Sequence, residues 1–310
     1  MIDVKDLRKH FSSGILKKPC MKAVDGISFQ IERGETLGLV GESGCGKTTI
    51  GKLLLRLIEP TDGKILFNGI DLLHLKRKEL RRLRPRMQMI FQDPDASLNP
   101  RMKIGDSIAE PLKLQGSIGK SEIKNKVSEL IETVGLNPEH VNRYPYQLSG
   151  GQNQRVVLAR VLALNPDFIV ADEPTSSLDV SVQAQILNLI QDLKRELHLT
   201  LLFISHDLEV VRHMSDRIAV MYHGKIVEIG NTNDIFGYER HPYTNTLISP
   251  VSVGDIILDG DMNMKNASDY HCLSGCVFYQ RCPFAAEICS KKEPEMIELE
   301  KGHWVACHFG

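Results

Sequence analysis

The sequence predicts an α/β fold with parallel strands at its core, followed by a separate C-terminal segment. Short apolar runs alternate with helical patterns between residues 35 and 224, which favours a parallel sheet covered by helices. The run DFIVAD (167–172) has four consecutive apolar residues between two aspartates, as in strands buried on both faces. After about residue 235 the alternation weakens, and cysteines crowd the end of the chain.

The elements follow from hydrophobic spacing and from the residues that stop each pattern. After a β-rich stretch at residues 1–40, the predicted strands are ETLGLV (35–40), TDGKILFNG (61–69), MQMIFQ (87–92), DFIVAD (167–172), TLLFIS (200–205) and IAVMYHG (218–224). The predicted helices are a segment from Lys47 ended by Pro60, a basic segment with a solvated face at 75–86, a mainly helical region at 104–142, and helices at 151–164 and 180–197. Residues 250–275 lack periodicity and are interpreted as a linker.

Composition excludes several classes of protein. The 310 residues are 42% hydrophobic and 25% charged, which is typical of a folded globular chain. Lysine and arginine number 38 against 39 acidic residues, so no broadly basic surface supports nucleic-acid binding. No apolar stretch is long enough to span a bilayer, and the first residues do not resemble a signal peptide. We expect a cytosolic chain that reaches a membrane only through partner subunits.

The segment GESGCGKT fits the phosphate-binding pattern G-x-x-x-x-G-K-[ST], between a predicted strand and a predicted helix. Its glycines let backbone N–H groups wrap a polyphosphate, and the helix start favours negative charge. Lys47 can reach the β- and γ-phosphates, and Thr48 can ligate Mg²⁺. The predicted nucleotide-binding residues are Gly41, Glu42, Ser43, Gly44, Cys45, Gly46, Lys47, Thr48 and Thr49.

Two further candidate residues lie at and directly after the end of the apolar strand at 167–172. Asp172 is a carboxylate suited to the Mg²⁺ shell of a triphosphate, and Glu173 can polarise a water for attack on the γ-phosphate. A strand that ends in two acidic residues is common. Together with the phosphate-binding pattern it predicts a hydrolytic site.

These residues, with the segment LSGGQ at 148–152, resemble the ATP-binding-cassette (ABC) ATPases. Gln92 looks like the glutamine of the Q-loop, residues 176–179 resemble the D-loop, and His206 looks like the switch histidine. Phe11 stands where the family places an aromatic ring that stacks on adenine. The resemblance adds these residues to the nucleotide site: Phe11, Gln92, Ser149, Gly150, Gly151, Gln152, Asp172 and Asp179.

The resemblance implies a P-loop ABC ATPase core, with a mixed sheet that has a parallel centre, over residues 1–235. It also implies a helical subdomain at about 93–160 and a C-terminal extension at 236–310. ATP would lie between the phosphate-binding loop of one chain and the LSGGQ segment of another, in a head-to-tail dimer. The implied catalytic residues are Glu173, His206, Lys47 and Gln92, and the implied Mg²⁺ ligands are Thr48, Gln92 and Asp172.

The tail carries the pattern Cys276-x5-Cys282-x6-Cys289-x17-Cys307, with Cys272 just upstream. Four thiolates can hold a [4Fe–4S] cluster or, alternatively, zinc, and unligated thiols or a disulfide stay open. The segments GCVFYQRCPFAAEIC, WVAC and RHPYTNTLI resemble the C-terminal extension of oligopeptide/dipeptide-importer ATPases. The family's Pro-rich stretch before the first cysteine is missing, which makes Cys272 an extra candidate. The position of the tail in the sequence gives no basis for placing it near ATP.

The resemblance implies an ATPase subunit of an ABC importer for di- or oligopeptides, or for related cargo such as nickel chelates. The alternative is a non-transport ABC ATPase of the DNA-repair or translation type. The implied partners are a second ABC ATPase subunit, identical or similar, two transmembrane permease subunits and, indirectly, an extracellular substrate-binding protein. No nucleic-acid partner is expected, and the implied location is the cytoplasmic face of the cell membrane.

Overall fold

The computed structural model describes residues 1–11, 21–116, 118–237, 241–248 and 275–309. The chain forms two compact units, Met1–His74 with Phe203–Gly310 and Leu75–Leu202. Cys272 and the predicted linker at 250–275, except its last residue, lie outside the described residues.

Strands and helices alternate through the middle of the chain, as the apolar runs predict. The strands are β1 (Ile2–Phe11), β2 (Met21–Ile31), β3 (Thr36–Val40), β4 (Asp62–Phe67), β5 (Ile70–Asp71), β6 (Met87–Ile90), β7 (Phe168–Asp172), β8 (Thr200–Ile204), β9 (Arg217–Tyr222), β10 (Lys225–Asn231), β11 (Ile297–Glu300) and β12 (His303–Val305). The helices are α1 (Lys47–Leu54), α2 (Arg77–Leu83), α3 (Pro94–Ser97), α4 (Ile104–Gln115), α5 (Lys120–Thr133), α6 (Gly150–Leu162), α7 (Val180–Leu197), α8 (Leu208–Met214), α9 (Thr232–Gly237), α10 (Pro242–Ile248) and α11 (Glu287–Lys291). Short 3₁₀ turns lie at Leu72–His74, Arg84–Arg86, Pro138–Asn142, Pro145–Gln147 and Tyr279–Arg281.

The first unit contains two sheets. One is antiparallel, in the order β2-β1-β4-β5. The other contains the neighbouring strands β11-β12-β10-β9-β3, in which β3 and β9 are parallel and the remaining pairs are antiparallel. The mixed sheet predicted from the sequence is therefore confirmed.

Strand β3 positions the phosphate-binding loop. All five of its residues are buried, in agreement with its apolar sequence TLGLV. Gly38 allows α8 to approach, because a Cβ there would lie 2.4 Å from Ser215 Oγ and 2.5 Å from Val211 Cγ1. The strand ends at Val40, so the loop begins at a rigid, buried point.

The second unit is built around the parallel pair β6 and β7 and a group of helices. The register pairs Met87 with Phe168 and Ile90 with Ala171. Every residue of β7 is buried, as its apolar sequence predicts. Because β7 ends at Asp172, the acidic residues of the candidate site come directly after the core of this unit.

Helix α1 is shorter than predicted, since it ends at Leu54 rather than at Pro60. The Arg56 N–H donates to Leu53 O, and Arg56 adopts a positive φ of 47°. The Leu57 N–H donates to Lys52 O at 2.8 Å, so the two bonds and the left-handed Arg56 form a Schellman-type cap that ends the helix. The apolar run Leu53–Leu55 concealed this turn, because no glycine marks the left-handed position.

Within the part of the chain that the structure describes, no helix has the length and apolar character that crossing a lipid bilayer requires.

Candidate nucleotide-binding site

The phosphate-binding loop connects β3 to α1 in the first unit. Gly46 is the N-cap of α1, with a φ of 113°, and no side chain caps the helix. Gly44 also has a positive φ, of 81°. Successive backbone groups in such conformations form a concave nest of N–H groups, and the start of α1 adds a favourable partial charge for anions.

The loop is closely backed on one side and open on the other. A Cβ at Gly41 would lie 2.1 Å from Met221 O, and one at Gly46 would lie 2.1 Å from Ala23 O. A Cβ at Gly44 would meet nothing within 4 Å. The neighbouring backbone thus fixes the curve of the loop while its open side leaves room for a bulky anion, so the residues present fit a polyphosphate.

Lys47 directs its ammonium group into the loop. The side chain is 6% exposed, and Nζ donates to Gly41 O at 2.6 Å and to Glu42 O at 3.0 Å. Cys45 Sγ lies 3.8 Å from the same nitrogen. Burial raises the pKa of the Cys45 thiol above its usual range, which disfavours a thiolate beside the lysine.

A hairpin tip supports the loop from the side. His223 and Gly224 connect β9 to β10 with positive φ values of 41° and 83°, which is typical of a two-residue type I′ turn. The Gly224 N–H donates to Cys45 O at 2.9 Å, and Gly224 O accepts from the Asp25 N–H at 2.9 Å. This support is not among the features predicted from the sequence, although the His-Gly pair between two apolar runs is a recognisable hairpin signal.

Two further residues predicted by resemblance also lie in the first unit. Phe11 ends β1 with 42% of its surface exposed, and Lys9 Nζ lies 4.9 Å from its ring centroid. His206 is exposed and directly follows Ser205, whose N–H donates to Leu39 O of β3. Asp207 then caps α8 by accepting from two backbone N–H groups.

In the second unit, Gln92 and Glu173 come together. Gln92 Nε2 donates to Glu173 Oε2 at 3.2 Å, although the two residues are far apart in sequence. Glu173 directly follows the 5% exposed Asp172 and has a positive φ of 46°. A non-glycine residue in the left-handed region costs free energy, and such residues cluster at functional sites.

The LSGGQ segment forms the start of α6, also in the second unit. Ser149 is the N-cap: its Oγ accepts from the Gln152 N–H at 3.3 Å, and Gln152 Oε1 accepts from the Ser149 N–H at 3.0 Å. Gly151 is buried, and a Cβ there would lie 2.3 Å from Val182 Cγ1. Asp179 is the N-cap residue of α7, which contains Val182.

Four of the tail cysteines lie within the described residues as free thiols: Cys276, Cys282, Cys289 and Cys307. Burial, together with the nearby sulfur atoms of the other three, raises the pKa of Cys276 to about 11. Among the residues that the structure describes, however, no three histidine, cysteine or acidic side chains form a group that could hold a metal ion. The arrangement therefore does not support the predicted cluster or its zinc alternative.

The tail reaches the phosphate-binding loop, which the sequence analysis had no basis to predict. Arg281 Nη1 lies 2.9 Å from both carboxylate oxygens of Glu42. The Glu42 N–H donates to Tyr243 Oη at 3.0 Å. A separation of 239 residues between Arg281 and Glu42 leaves no pattern in the sequence that could reveal the pair.

Comparison with family models gives two matches. Residues 24–176 match the ABC transporter family, and residues 227–289 match the oligopeptide/dipeptide transporter C-terminal region. Together the two regions include the phosphate-binding loop, the LSGGQ segment, Glu173, Tyr243 and three of the four described tail cysteines.

Known proteins agree with these matches. The chain is 46% identical to the oligopeptide transport ATP-binding protein AppF of Bacillus subtilis, over 100% of this chain and 97% of AppF. The dimeric ATP-binding cassette MJ0796, solved with ADP and Pi, matches with a TM-score of 0.67 and 29% identity, over 75% of this chain and 99% of the cassette. The structure of cbiO1 from Clostridium perfringens, part of the transporter complex cbiONQ, matches with a TM-score of 0.68 and 27% identity, over 83% and 98%. The chain belongs to the ABC transporter ATPases, in the branch that carries the oligopeptide/dipeptide transporter C-terminal region.

Proposed function

We propose that this chain is the ATP-hydrolysing subunit that powers an importer of di- or oligopeptides. The observation that carries the proposal is the phosphate-binding loop, with Lys47 buried inside it, in a chain that matches an oligopeptide transport ATP-binding protein along its whole length. The near-neutral net charge gives no support to a nucleic-acid partner.

The loop from Gly41 to Thr49 binds the triphosphate in this proposal. Its N–H groups and the start of α1 stabilise the phosphate oxygens, and Lys47 exchanges its carbonyl partners for the β- and γ-phosphates. Phe11 stacks on the adenine ring. Thr48, Gln92 and Asp172 are the Mg²⁺ ligands that the family resemblance implies, and the ion would neutralise negative charge on the phosphates.

Glu173 orients or deprotonates the attacking water. The hydrogen bond from Gln92 holds one oxygen of its carboxylate, which limits the rotation of the side chain. His206 stabilises charge on the γ-phosphate. Gln92, whose amide contacts the Glu173 carboxylate, would also sense the γ-phosphate and transmit closure to the membrane partner, as the family resemblance implies.

The start of α6 binds the ATP held by a second subunit. Ser149, Gly150, Gly151 and Gln152 offer a helix N-terminus with an added hydroxyl group, and Asp179 belongs to the same interface. The resemblance to a cassette solved as a dimer supports a head-to-tail dimer of identical or similar chains. MgATP would favour the closed dimer, and hydrolysis would reopen it.

The transport system is completed by two transmembrane permease subunits and, indirectly, an extracellular substrate-binding protein. The chain would lie against the cytoplasmic face of the membrane through these permeases. In this scheme residues 1–235 form the ATPase domain, with a helical subdomain at about 93–160, and residues 236–310 form the peptide-importer extension.

A [4Fe–4S] cluster on Cys276, Cys282, Cys289 and Cys307 stays a proposal that rests on family resemblance alone. None of the steps above involves the cluster. Anaerobic purification followed by iron, sulfide and zinc analysis tests it. About four iron and four sulfide per chain would support the cluster, and stoichiometric zinc would support the alternative. A preparation without iron, sulfide or zinc would show that the thiols are unligated.

The proposed hydrolysis is tested with Glu173→Gln in the complex assembled with its permeases. We expect turnover to fall by about a hundredfold or more, because loss of a general base typically costs about 10² to 10⁴ in rate, while MgATP still binds. Glu129→Gln changes a comparable carboxylate on α5 and serves as the control, with turnover near wild type. Wild-type turnover in Glu173→Gln would refute the assignment.

A further inference from the structure

Glu42, in the phosphate-binding loop, is held at four points. Its carbonyl oxygen accepts from Lys47 Nζ and from the Cys45 N–H. Its N–H donates to Tyr243 Oη, and its carboxylate accepts from Arg281 Nη1. The first two contacts lie within the loop, and the last two come from the C-terminal part of the chain.

Tyr243 and Arg281 are themselves fixed by an aromatic group. The Tyr243 ring is completely buried and lies 4.5 Å from the Tyr222 ring and 5.4 Å from the Phe278 ring, centroid to centroid. The Arg281 guanidinium lies 5.8 Å from the Tyr222 ring centroid, and its Nη1 lies 3.4 Å from Tyr222 Oη. The two groups that reach Glu42 therefore have little freedom of their own.

A cluster of buried polar side chains around Glu228 connects the segment of Tyr243 to strand β12. Glu228 is fully buried, and its carboxylate lies 2.7 Å from His303 Nε2 and 2.5 Å from Thr244 Oγ1, and accepts from the His241 N–H at 3.1 Å. The Tyr243 N–H in turn donates to His241 Nδ1. Strand β10, helix α10 and strand β12 are thus tied together beneath the tyrosine.

We propose that Arg281 and Tyr243 are positioning residues for nucleotide binding, through which the C-terminal extension holds Glu42 and keeps the loop in its binding conformation. The loop has glycine at three positions, so ordering it without support costs conformational entropy. A loop that is already ordered binds its ligand more tightly, because this cost does not arise on binding. The inference rests on the proposed role of residues 41–48 as the nucleotide-binding loop.

The contacts suit this role better than a purely structural one. The carbonyl of Glu42 is one of the two backbone acceptors that hold Lys47 Nζ. A shift of Glu42 therefore also moves the lysine that is proposed to bind the phosphates. A salt bridge that only stabilised the fold would gain nothing from being placed on this residue.

The test uses the full-length chain and measures the affinity for fluorescent MgADP, and the ATPase KM and kcat in the assembled transporter. Arg281→Gln is expected to weaken MgADP binding and to raise KM by about two- to fivefold, because the ion pair that it removes is partly exposed. Tyr243→Phe is expected to have an effect of about the same size, because it removes the hydroxyl that accepts from the Glu42 N–H. The value of kcat should stay within about twofold, since the loss falls on binding. Arg281→Lys should restore part of the affinity.

A double-mutant cycle separates a direct contact from a general disturbance. Glu42→Gln and the double variant Arg281→Gln/Glu42→Gln should match Arg281→Gln in affinity, because each removes the same ion pair. Lys291→Gln, which removes an exposed ion pair on α11, is the control and should leave affinity unchanged.

Unchanged affinity in both Arg281→Gln and Tyr243→Phe, or additive losses in the cycle, would overturn the inference. If the buried Tyr243→Phe variant fails to fold, Arg281→Gln decides alone, because that side chain is partly exposed. Failure of the wild-type chain to bind MgADP, or normal binding by Lys47→Ala, would count against the proposed function instead.

Discussion

The helices α1 and α6 both begin at a glycine-containing turn, yet their N-termini are stabilised in different ways. Ser149 and Gln152 cap α6 reciprocally, so its start is satisfied by residues of the LSGGQ segment itself. Helix α1 has glycine at its N-cap and no side-chain cap. Its preceding loop is shaped by Ala23, Met221 and Gly224, and by two residues near the end of the chain.

The difference shows where each site gets its shape. A self-capped helix start needs little from its surroundings, which suits the proposed role of this segment as a surface that binds the ATP of a second subunit. A loop that must leave its amides available for phosphate cannot use its own side chains as caps, so distant parts of the chain must hold it. Substitutions in the loop should therefore be more damaging than those at the start of α6.

Gly41→Ala should have the largest effect. Its Cβ would lie 2.1 Å from Met221 O, which is backbone and cannot rotate away. We expect a loss of roughly 3 kcal/mol or more in the free energy of unfolding, as overpacking and backbone strain add. Urea denaturation of the full chain measures it. Gly44→Ala, at an open position with a φ of 81°, is the matched control and should cost about 1–2 kcal/mol through strain alone. Equal losses of stability in the two variants would contradict the conclusion that the backbone packed against Gly41 fixes the shape of the loop.

Acid should weaken the distant support of the loop. Burial lowers the pKa of His241 from 6.5 to about 4, so on acidification the unfolded chain takes up this proton before the folded chain does. Stability from this group is complete above pH 6.5 and is lost as the pH falls towards 4. Between pH 7.5 and pH 5 we expect a loss of about 2 kcal/mol in the free energy of unfolding.

Denaturation of the wild type and of His241→Gln at both pH values measures this effect. The variant should lose less stability on acidification by about the same 2 kcal/mol, and identical pH dependence in the two proteins would contradict the prediction.

Removing the cap of α6 should have the smallest effect. Ser149→Ala leaves the Gln152 N–H without its side-chain acceptor and should cost about 1 kcal/mol in the free energy of unfolding. Ser149→Asn keeps an acceptor and should restore most of it. MgADP affinity of the isolated subunit should not change in either variant, because the proposed ligand of this segment is held by another chain. A loss in the free energy of unfolding as large as that of Gly41→Ala would show that the start of α6 also depends on distant parts of the chain.

The sequence predicted the parts of the site that depend on local pattern. The loop at 41–48, the strand ending at Asp172, the helix at 180–197 and the α6 start follow from apolar runs and short motifs, and the structure has these elements within one or two residues. The sequence predicted Glu173 as an acidic residue directly after a strand. Its left-handed backbone and its hydrogen bond with Gln92 could not be predicted, because both depend on tertiary packing.

The missed features share one physical cause. Arg281 meets Glu42 and Gly224 meets Cys45, each across a long stretch of chain. Periodicity and motif spacing describe neighbours in sequence and contain no information on such pairs. The crowding of the cysteines suggested a metal centre, but the described side chains form no group of three that could hold a metal ion, so the cluster stays a proposal.

Strand β12 has a consequence for how this protein is made. It pairs with β10, and the Ala306 N–H donates to Val227 O, so the final residues cover an edge laid down much earlier. The unit that holds the phosphate-binding loop combines two distant stretches, Met1–His74 and Phe203–Gly310, so it is complete only after β12 has been made. A polypeptide that stops before β12 would leave the edge of β10 unpaired and open to aggregation.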